Sequence, residues 1–363
     1  MSMKASLLVV ASLFIFSFSG KKEAGDFVIG NTIFEKDLFG SEEILSITLK
    51  GNVRELLNDR GDDPKYHSIT LSYRDKDSSE VSIPVQMKTR GHFRKLKGNC
   101  NYPPLQISFP ADVNRLSSLF KGQKKLKLVM PCVSDDYIIR EWLVYKIYNL
   151  ITAKSFRTRL VRISLNDPKN KKQPSSFYGF LIEDDKQMAL RNKAIAVEQK
   201  LKPQEMRQDA FLTMAVFQYL IGNTDWSVEY LQNIKLLKTD ASLQLITVPY
   251  DFDHSGMVNA PYAHPAEELL MNSVQERRYR GYCIKDMKVF ENSLALYNRL
   301  RSDIYNLYTK SNLLDAKYIK SVTKYLDEFY ATINNPKAWQ KDFAYPCDKN
   351  GTGNVVIKGL RED

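Results

Sequence analysis

Residues 221–226 read Ile-Gly-Asn-Thr-Asp-Trp, residues 232–233 read Gln-Asn, and residues 250–254 read Tyr-Asp-Phe-Asp-His. The first stretch follows the strongest helical pattern of the chain, from Gln204 to Ile221, in which apolar side chains line one wide face. One apolar run of strand type follows Gln-Asn, and a second precedes Tyr-Asp. The predicted order is therefore helix, loop, strand, turn, strand and loop, with polar residues at the junctions.

The polar residues at these junctions stand in an order that a phosphotransfer site of kinase type uses: a base aspartate, an asparagine, and a metal-binding aspartate just past a hairpin. We therefore predict Asp225 as the catalytic base, because its loop position leaves the carboxylate free to accept a hydroxyl proton. Asn233, Asp251 and Asp253 are predicted metal ligands, since divalent cations prefer hard oxygen donors. The alternative is that these side chains cap turns and begin loops.

Composition places the chain among globular proteins, with 363 residues, 43% of them hydrophobic and 26% charged. The length allows one large domain or a two-lobed one. The formal net charge of +11 favours anionic partners such as phosphate, nucleic acid or an acidic membrane surface, without choosing among them. We expect no specific nucleic-acid partner.

The N-terminus has the pattern of a secretory signal peptide, predicted over residues 1–20. Lys4 precedes an apolar run from Leu7 to Phe18, which is too short for a comfortable membrane span of ~20 residues. A polar lead-in over 21–43 follows, and no later stretch is apolar enough to span. We expect an exported protein, periplasmic, at the cell surface or secreted, with no membrane span after signal removal.

Export makes disulfides plausible for the four cysteines, which allow three pairings. We favour Cys100–Cys132 and Cys283–Cys347, because each pair then stays within one half of the chain. The cysteine spacing fits no zinc pattern, and the four histidines do not cluster with the cysteines.

Hydrophobic periodicity divides the chain into a β-rich first part and a helical second part. Residues 44–133 alternate as antiparallel strands of a meander and form a predicted N-lobe. Residues 134–363 form a predicted C-lobe, with a helix over 137–152, active-site loops over 222–254 and amphipathic C-terminal helices. These last helices are predicted over Lys285–Lys310 and Leu314–Ile333, with a loop-like tail after Pro336. The fold class is therefore α+β with two lobes.

Basic residues concentrate in the predicted N-lobe and point to an anion site. Arg90 and Gly91 follow a strand, where a glycine turn lets the backbone approach a phosphate and an arginine can grip it. Lys125 and Lys127 lie on one face of a later strand, so alternation does not choose between them. Glu141 on the following helix is a candidate partner for a phosphate-holding lysine. A solvated basic hairpin and an ordinary helix ion pair are the alternatives.

Together these segments, spanning about residues 85–255, resemble the kinase-like proteins related to bacterial spore coat protein H and, more distantly, the secretory-pathway kinases. The matching pieces are Arg90-Gly91 with Phe93-Arg94, Lys125-Leu-Lys-Leu128 with Arg140-Glu141, Gly222-Asn-Thr-Asp225 with Asn233, and Asp251-Phe-Asp253. The resemblance implies an atypical protein-kinase fold, ATP with Mg²⁺ or Mn²⁺, and a Ser or Thr hydroxyl as acceptor. The chain also resembles exported bacterial proteins with no assigned activity.

The chain departs from typical protein kinases at several of these positions. Asn-Thr-Asp replaces His-Arg-Asp, no glycine-rich loop is present, and Asn233 stands farther from Asp225 than is usual. Asp253 stands where typical kinases have glycine. The sequence therefore predicts an atypical kinase-like protein that transfers phosphate to a protein or small-molecule hydroxyl. The alternative is a non-catalytic pseudokinase or an envelope protein that binds an anionic polymer or partner protein through its basic N-lobe.

Overall fold

A computed structural model of the chain describes residues 37–111, 118–169, 175–239, 242–345 and 347. The predicted signal peptide and most of the predicted polar lead-in lie outside the described residues. Within the described ranges, no helix combines the length and apolar character that crossing a membrane requires.

Seven strands of the first half close into a barrel, in the order β1-β2-β3-β4-β5-β7-β6. Their bounds are β1 Leu45–Gly51, β2 His67–Arg74, β3 Glu80–Thr89, β4 Leu105–Ser108, β5 Lys125–Val129, β6 Thr158–Asn166 and β7 Ser175–Ile182. Side chains that alternate along the strands fill the interior, among them Leu71, Val85, Ile107 and Leu128, which are almost fully buried.

The closed barrel corrects the prediction of a plain antiparallel meander. β1 pairs antiparallel with β2 on one side and parallel with β6 on the other, with Leu45 opposite Val161. The parallel pairing is possible because β6 and β7 come from beyond residue 133, on the far side of the predicted lobe boundary. Closure leaves no free edge on the barrel, whereas a meander leaves two.

The helices follow the periodicity of the sequence with adjusted ends. Their bounds are α1 Val53–Asn58, α2 Asp135–Ile151, α3 Asp185–Arg191, α4 Gln208–Ile221, α5 Glu291–Arg299, α6 Arg301–Thr309, α7 Ala316–Ile333 and α8 Pro336–Asp342. α2 begins where Ser134 accepts a hydrogen bond of 3.1 Å from the Asp136 backbone N–H, so Ser134 is the N-cap of this helix.

A second sheet of three strands lies in the second half of the described chain, in the order β10-β9-β8. Its strands are β8 Ala194–Val197, β9 Ile234–Thr239 and β10 Ser242–Pro249. β9 and β10 form the predicted hairpin, with Pro249 opposite Ile234. A large apolar core joins this sheet to α2, α4 and α7. The hairpin thus brings the residues before β9 and after β10 to one end of the sheet.

Two helix predictions near the C-terminus were wrong in detail. The predicted helix over 285–310 is divided into a short 3₁₀ turn at Met287–Phe290 followed by α5 and α6. The region after Pro336 contains α8 rather than a loop, because Asn335 caps the backbone N–H groups of Lys337 and Ala338.

Both favoured disulfides are present. Cys100 and Cys132 are joined with 4.2 Å between their Cα atoms, and Cys283 and Cys347 with 5.0 Å. The first bond fastens the long connection between β3 and β4 to the end of β5, and the second fastens the chain after α8 to the segment before α5.

Candidate functional site

Asp225 lies on a short loop that is held rigidly after α4. The helix ends at Gly222, whose φ of +66° is the left-handed conformation that glycine adopts without strain. A side chain at this position would meet the Tyr325 hydroxyl, which lies directly beneath. The Asn223 side chain then accepts a hydrogen bond of 3.0 Å from the Asp225 backbone N–H, and buried Trp226 donates to the Asn223 carbonyl.

The Asp225 carboxylate does not cap the loop but faces the two polar residues before β9. Gln232 donates its side-chain amide to Oδ1, and Asn233 Nδ2 donates to Oδ2 at 3.0 Å and to the Asp225 carbonyl at 2.8 Å. Burial raises the pKa of Asp225, and the nearby His254 opposes this rise. The predicted base and the predicted asparagine ligand are therefore in direct contact.

Asn233 and Asp251 stand at the two ends of the β9–β10 hairpin. The Tyr250 backbone N–H donates to the Asn233 carbonyl at 3.0 Å, which joins the two ends. Both residues have left-handed backbone angles, with φ of +52° at Asn233 and +62° at Asp251. Residues other than glycine hold such angles only where their surroundings impose them, and sites of function are where they concentrate.

The Asp251 side chain is half-buried and, within the described part of the chain, its carboxylate accepts no hydrogen bond and forms no ion pair. Its backbone N–H donates to the Tyr145 hydroxyl at 2.8 Å. Burial and the charge of Asp253 raise the pKa of Asp251 to about 6, although Arg94 and Arg90 oppose the rise. The next residue, Phe252, is fully buried against Tyr145 and anchors the segment.

Glu141 on α2 pairs with Arg94 and not with a strand lysine, which corrects the predicted lysine–glutamate pair. Arg94 Nη1 lies 3.5 Å from Glu141 Oε2 and 3.6 Å from Asp253 Oδ2, and Asp253 also accepts a hydrogen bond of 3.0 Å from Tyr262. The connection after β3 brings its buried Arg94 to both acids, so Glu141 is already paired.

These contacts also shift the pKa values of Glu141 and Arg94. Burial raises the pKa of Glu141 well above its ordinary value, the Asp253 charge adds to this, and Arg94 counteracts both. Burial alone would lower the pKa of Arg94, but Tyr262, Asp253 and Glu141 raise it above its ordinary value. The guanidinium therefore stays charged and compensates the two buried acids.

Lys127 and Lys125, which alternation could not separate, lie in different surroundings. Lys125 is exposed at the start of β5, whereas Lys127 is half-buried between β4 and β7, opposite Gln106 and Ile182. The Lys127 ammonium lies 4.8 Å from the centre of the Tyr250 ring. Burial and the neighbouring Arg90 lower the pKa of Lys127 to about 8, while Asp251 acts in the opposite direction.

Arg90 and Gly91 border the same region. The Arg90 charge acts on Lys127, Tyr250 and Asp251, lowering the pKa of each. Neither Arg90 nor Lys127 forms an ion pair with any acid in the ranges that the structure describes. Gly91 is exposed, with a left-handed φ of +86° and open space around it. Two cations without ion-pair partners among the described residues thus lie within electrostatic range of Asp251, which has no ion-pair partner there either.

The predicted metal ligands differ in what they can offer a cation. Asn233 turns its amide nitrogen to Asp225, so its carbonyl oxygen is left for another partner, and the Asp251 carboxylate is likewise unengaged. Asp253 is occupied by Arg94 and Tyr262. Among the described residues no three His, Cys, Asp or Glu side chains are grouped to hold a metal. Asn233 and Asp251 fit a Mg²⁺-type cation that takes its remaining oxygens from phosphate and water.

The roles of two arginines in the site were not predicted from the sequence. Arg94 appeared in the Phe93-Arg94 piece of the resemblance, with no role of its own. Arg280 lies far from the opening stretch in sequence, yet its guanidinium donates to the carbonyls of Thr224 and Trp226, on both sides of Asp225. The sequence offers one indication of such a role, an arginine next to an aromatic residue, and this pattern is too common to identify a site.

The sequence matches no protein-family model, and no curated protein is similar to it at a significant level. Among solved structures, the chain is similar to the crystal structure of a Helicobacter pylori proinflammatory kinase, CtkA. The two share 14% identity over 68% of this chain and 92% of that one, with a TM-score of 0.39.

Proposed function

We propose that the protein is an atypical kinase-like phosphotransferase that moves a phosphoryl group from ATP to a hydroxyl of a protein or small molecule. One observation carries the proposal: Lys127 and Arg90, which have no ion-pair partner among the described residues, act electrostatically on Asp251, whose carboxylate has none there either. Phosphates bridged by a divalent cation present both charges together, since the phosphates match the cations and the metal matches the carboxylate.

Each residue of the site has a role under this proposal. Asn233 and Asp251 hold Mg²⁺ or Mn²⁺, and the bound metal supplies neutralisation of the charge that develops on the transferred group. Asp225 orients the acceptor hydroxyl and receives its proton, with its carboxylate aimed by Gln232 and Asn233. Its raised pKa suits a base that must take up a proton near neutral pH.

The phosphate-binding role falls to Lys127, Arg90 and the backbone at Gly91. Lys127 is favoured over Lys125 because it is half-buried beside Asp251, whereas Lys125 is exposed. The left-handed Gly91 exposes its backbone without a Cβ in the way, as a close approach to phosphate requires. Glu141 and Asp253 support the site indirectly, through their contacts with Arg94.

The kinase-like arrangement of the two lobes, the relation to spore coat protein H and export from the cell belong to the same proposal. Two disulfides are consistent with an extracellular protein. The predicted signal peptide accounts for how the chain would reach an oxidising compartment.

The test is calorimetric titration of the purified protein with ATP, with and without Mn²⁺. We expect Mn²⁺ to tighten ATP binding, and Asp251→Asn to abolish that gain while leaving metal-free binding through Lys127 and Arg90. Glu267→Gln, which changes an exposed acid outside the site, serves as the matched control. Equal Mn²⁺-dependent binding in Asp251→Asn and the parent protein would refute the proposal.

A second candidate is a non-catalytic protein that binds an anionic polymer or partner through its basic surface. The net charge of +11 favours it. It predicts binding that weakens steeply with salt and survives both Asp225→Asn and Asp251→Asn. Incubation with radiolabelled ATP and a mixture of candidate acceptors separates the two, because only the first candidate transfers phosphate and loses transfer in Asp225→Asn.

A further inference from the structure

Arg94 is a buried residue with exposed neighbours in the connection between β3 and β4. The strap, defined as residues 90–104 between β3 and β4, carries Phe93 and Leu96 on the surface, with exposed fractions of 43% and 54%. Arg94 lies between them in sequence and has an exposed fraction of 9%. An arginine directed inward from a surface connection gives up its hydration, so its contacts must replace that hydration.

The contacts of Arg94 reach three other segments of the chain. Nη2 donates to the Met130 carbonyl at 2.6 Å, just past β5. Nη1 lies 3.5 Å from Glu141 Oε2 on α2 and 3.6 Å from Asp253 Oδ2 after β10. A planar guanidinium can satisfy several acceptors in fixed directions at once, which a lysine ammonium on a flexible stem does less well.

Through these acids Arg94 fixes the two residues that follow Asp251. The Phe252 backbone N–H is close enough to the Glu141 carboxylate to lower its pKa, and Asp253 is held between Arg94 and Tyr262. On the other side, the Asp251 N–H is held by Tyr145, one helical turn beyond Glu141. The left-handed backbone of Asp251, which costs free energy for a residue with a side chain, is thus imposed from both sides.

We propose that Arg94 is the positioning residue of Asp251, holding that carboxylate in its metal-binding conformation by way of Glu141 and Asp253. The inference deepens the proposed function and rests on it for the identity of the ligand. It places a residue of the strap in control of the metal site, although Arg94 itself touches neither metal nor nucleotide.

The strap offers a matched control in Arg60. This arginine also holds the strap, donating to the carbonyls of Cys100 and Asn101 at 2.9 Å each, but it makes no contact with the acidic cluster. Arg60→Lys therefore loosens the strap to a comparable extent without changing what surrounds Asp251.

The experiment compares Arg94→Lys, Arg60→Lys and the parent protein in two measurements. The first is amide hydrogen exchange of the segment 250–255 in metal-free protein. The second is the factor by which Mn²⁺ tightens ATP binding. In Arg94→Lys we expect exchange of this segment to accelerate about tenfold and the Mn²⁺ factor to fall at least about tenfold, as indirect support of a metal ligand typically requires. Metal-free ATP affinity should stay unchanged, and Arg60→Lys should match the parent protein in both measurements.

The outcomes separate the positioning role of Arg94 from the proposed function. Unchanged exchange in Arg94→Lys, or equal acceleration in Arg60→Lys, overturns the positioning role. No Mn²⁺-dependent ATP binding in the parent protein overturns the proposed function, whatever the exchange shows. If Arg94→Lys does not fold, Glu141→Gln enters the same assays. It removes the charge that Arg94 grips while keeping an acceptor oxygen, and unchanged exchange at Phe252 in that variant equally overturns the inference.

Discussion

At the scale of single residues, burial separates side chains that the sequence presents as equivalent. Lys125 and Lys127 share one face of β5, yet only Lys127 lies between two neighbouring strands and beside Asp251. The alternation of a strand fixes which face a residue occupies, whereas its position along the strand and the neighbouring strands decide its electrostatic surroundings.

The lowered pKa of Lys127 predicts a pH dependence of phosphate binding. Below a pKa of about 8 the ammonium is charged and attracts phosphate, and above it the charge is lost. ATP affinity should therefore fall about tenfold between pH 7 and pH 9. Asp251, with a pKa of about 6, stays ionised throughout that window. Calorimetric titration across the window checks the expectation.

Two variants control this measurement. Lys127→Met should bind weakly with no pH dependence between 7 and 9, and Lys125→Met should keep the dependence of the parent protein. The same slope in Lys127→Met as in the parent would show that another group titrates.

Gly222 is a residue for which no side chain is tolerated. Gly222→Ala places a Cβ against the Tyr325 hydroxyl and imposes a left-handed backbone on alanine. We expect a loss of roughly 2–3 kcal/mol in the free energy of unfolding, from about 1 kcal/mol of backbone strain plus the overlap. Urea denaturation measures it.

The partner variant isolates the overlap. Tyr325→Phe removes the hydroxyl, which is buried without a hydrogen-bond partner in the described structure, so this change alone should cost little. In the double variant, Tyr325→Phe should restore more than half of the free energy of unfolding that Gly222→Ala loses. No restoration would assign the whole cost to the backbone.

At the scale of elements, features that depend on local sequence were predicted better than contacts between distant segments. α4 with its glycine end, the hairpin of β9 and β10 and the cap of α2 follow from patterns within a few residues. The Arg94–Glu141 contact joins residues 47 positions apart through a strap of irregular structure. No periodicity encodes such a contact, and any of several basic residues nearby could have made it.

The disulfide between Cys100 and Cys132 should support both stability and the site. Replacing both cysteines by serine opens a link across 32 residues, for which chain entropy gives a loss of roughly 3–4 kcal/mol in the free energy of unfolding. It also frees the strap that carries Arg94, so Mn²⁺-dependent ATP binding should weaken. Chemical denaturation and calorimetry report the two effects.

The second disulfide is the control, since it spans 64 residues and joins segments outside the strap. Its removal should cost a similar free energy of unfolding and leave Mn²⁺-dependent binding intact. Equal weakening of binding by both changes would mean that general destabilisation, and not release of the strap, is responsible.

At the scale of the whole molecule, the barrel could not be predicted because its closure depends on strands separated by a helix. The alternating patterns of 44–133 account for five strands, whereas β6 and β7 lie beyond the predicted lobe boundary. Nothing in either pattern specifies that β1 pairs parallel with β6, because register and partner depend on the fold of both segments together.

The barrel gives a test by dissection. A fragment of residues 37–133 leaves β1 and β5 with open edges, so we expect it to aggregate or remain unfolded. A fragment of residues 37–184 contains all seven strands and should retain far more β structure by circular dichroism. A folded, monomeric 37–133 fragment would show that the predicted lobe boundary is a true domain boundary and that closure is dispensable.

The cluster of Arg94, Glu141 and Asp253 has a consequence for how the sequence can change over time. Losing Arg94 leaves two buried acids without a counter-charge, at a cost of about 3–5 kcal/mol, whereas replacing all three members by apolar residues can be nearly neutral. A single substitution at Arg94 is therefore strongly destabilising. In descendants of a common ancestor, the three positions should therefore be inherited as a unit, kept together or exchanged together.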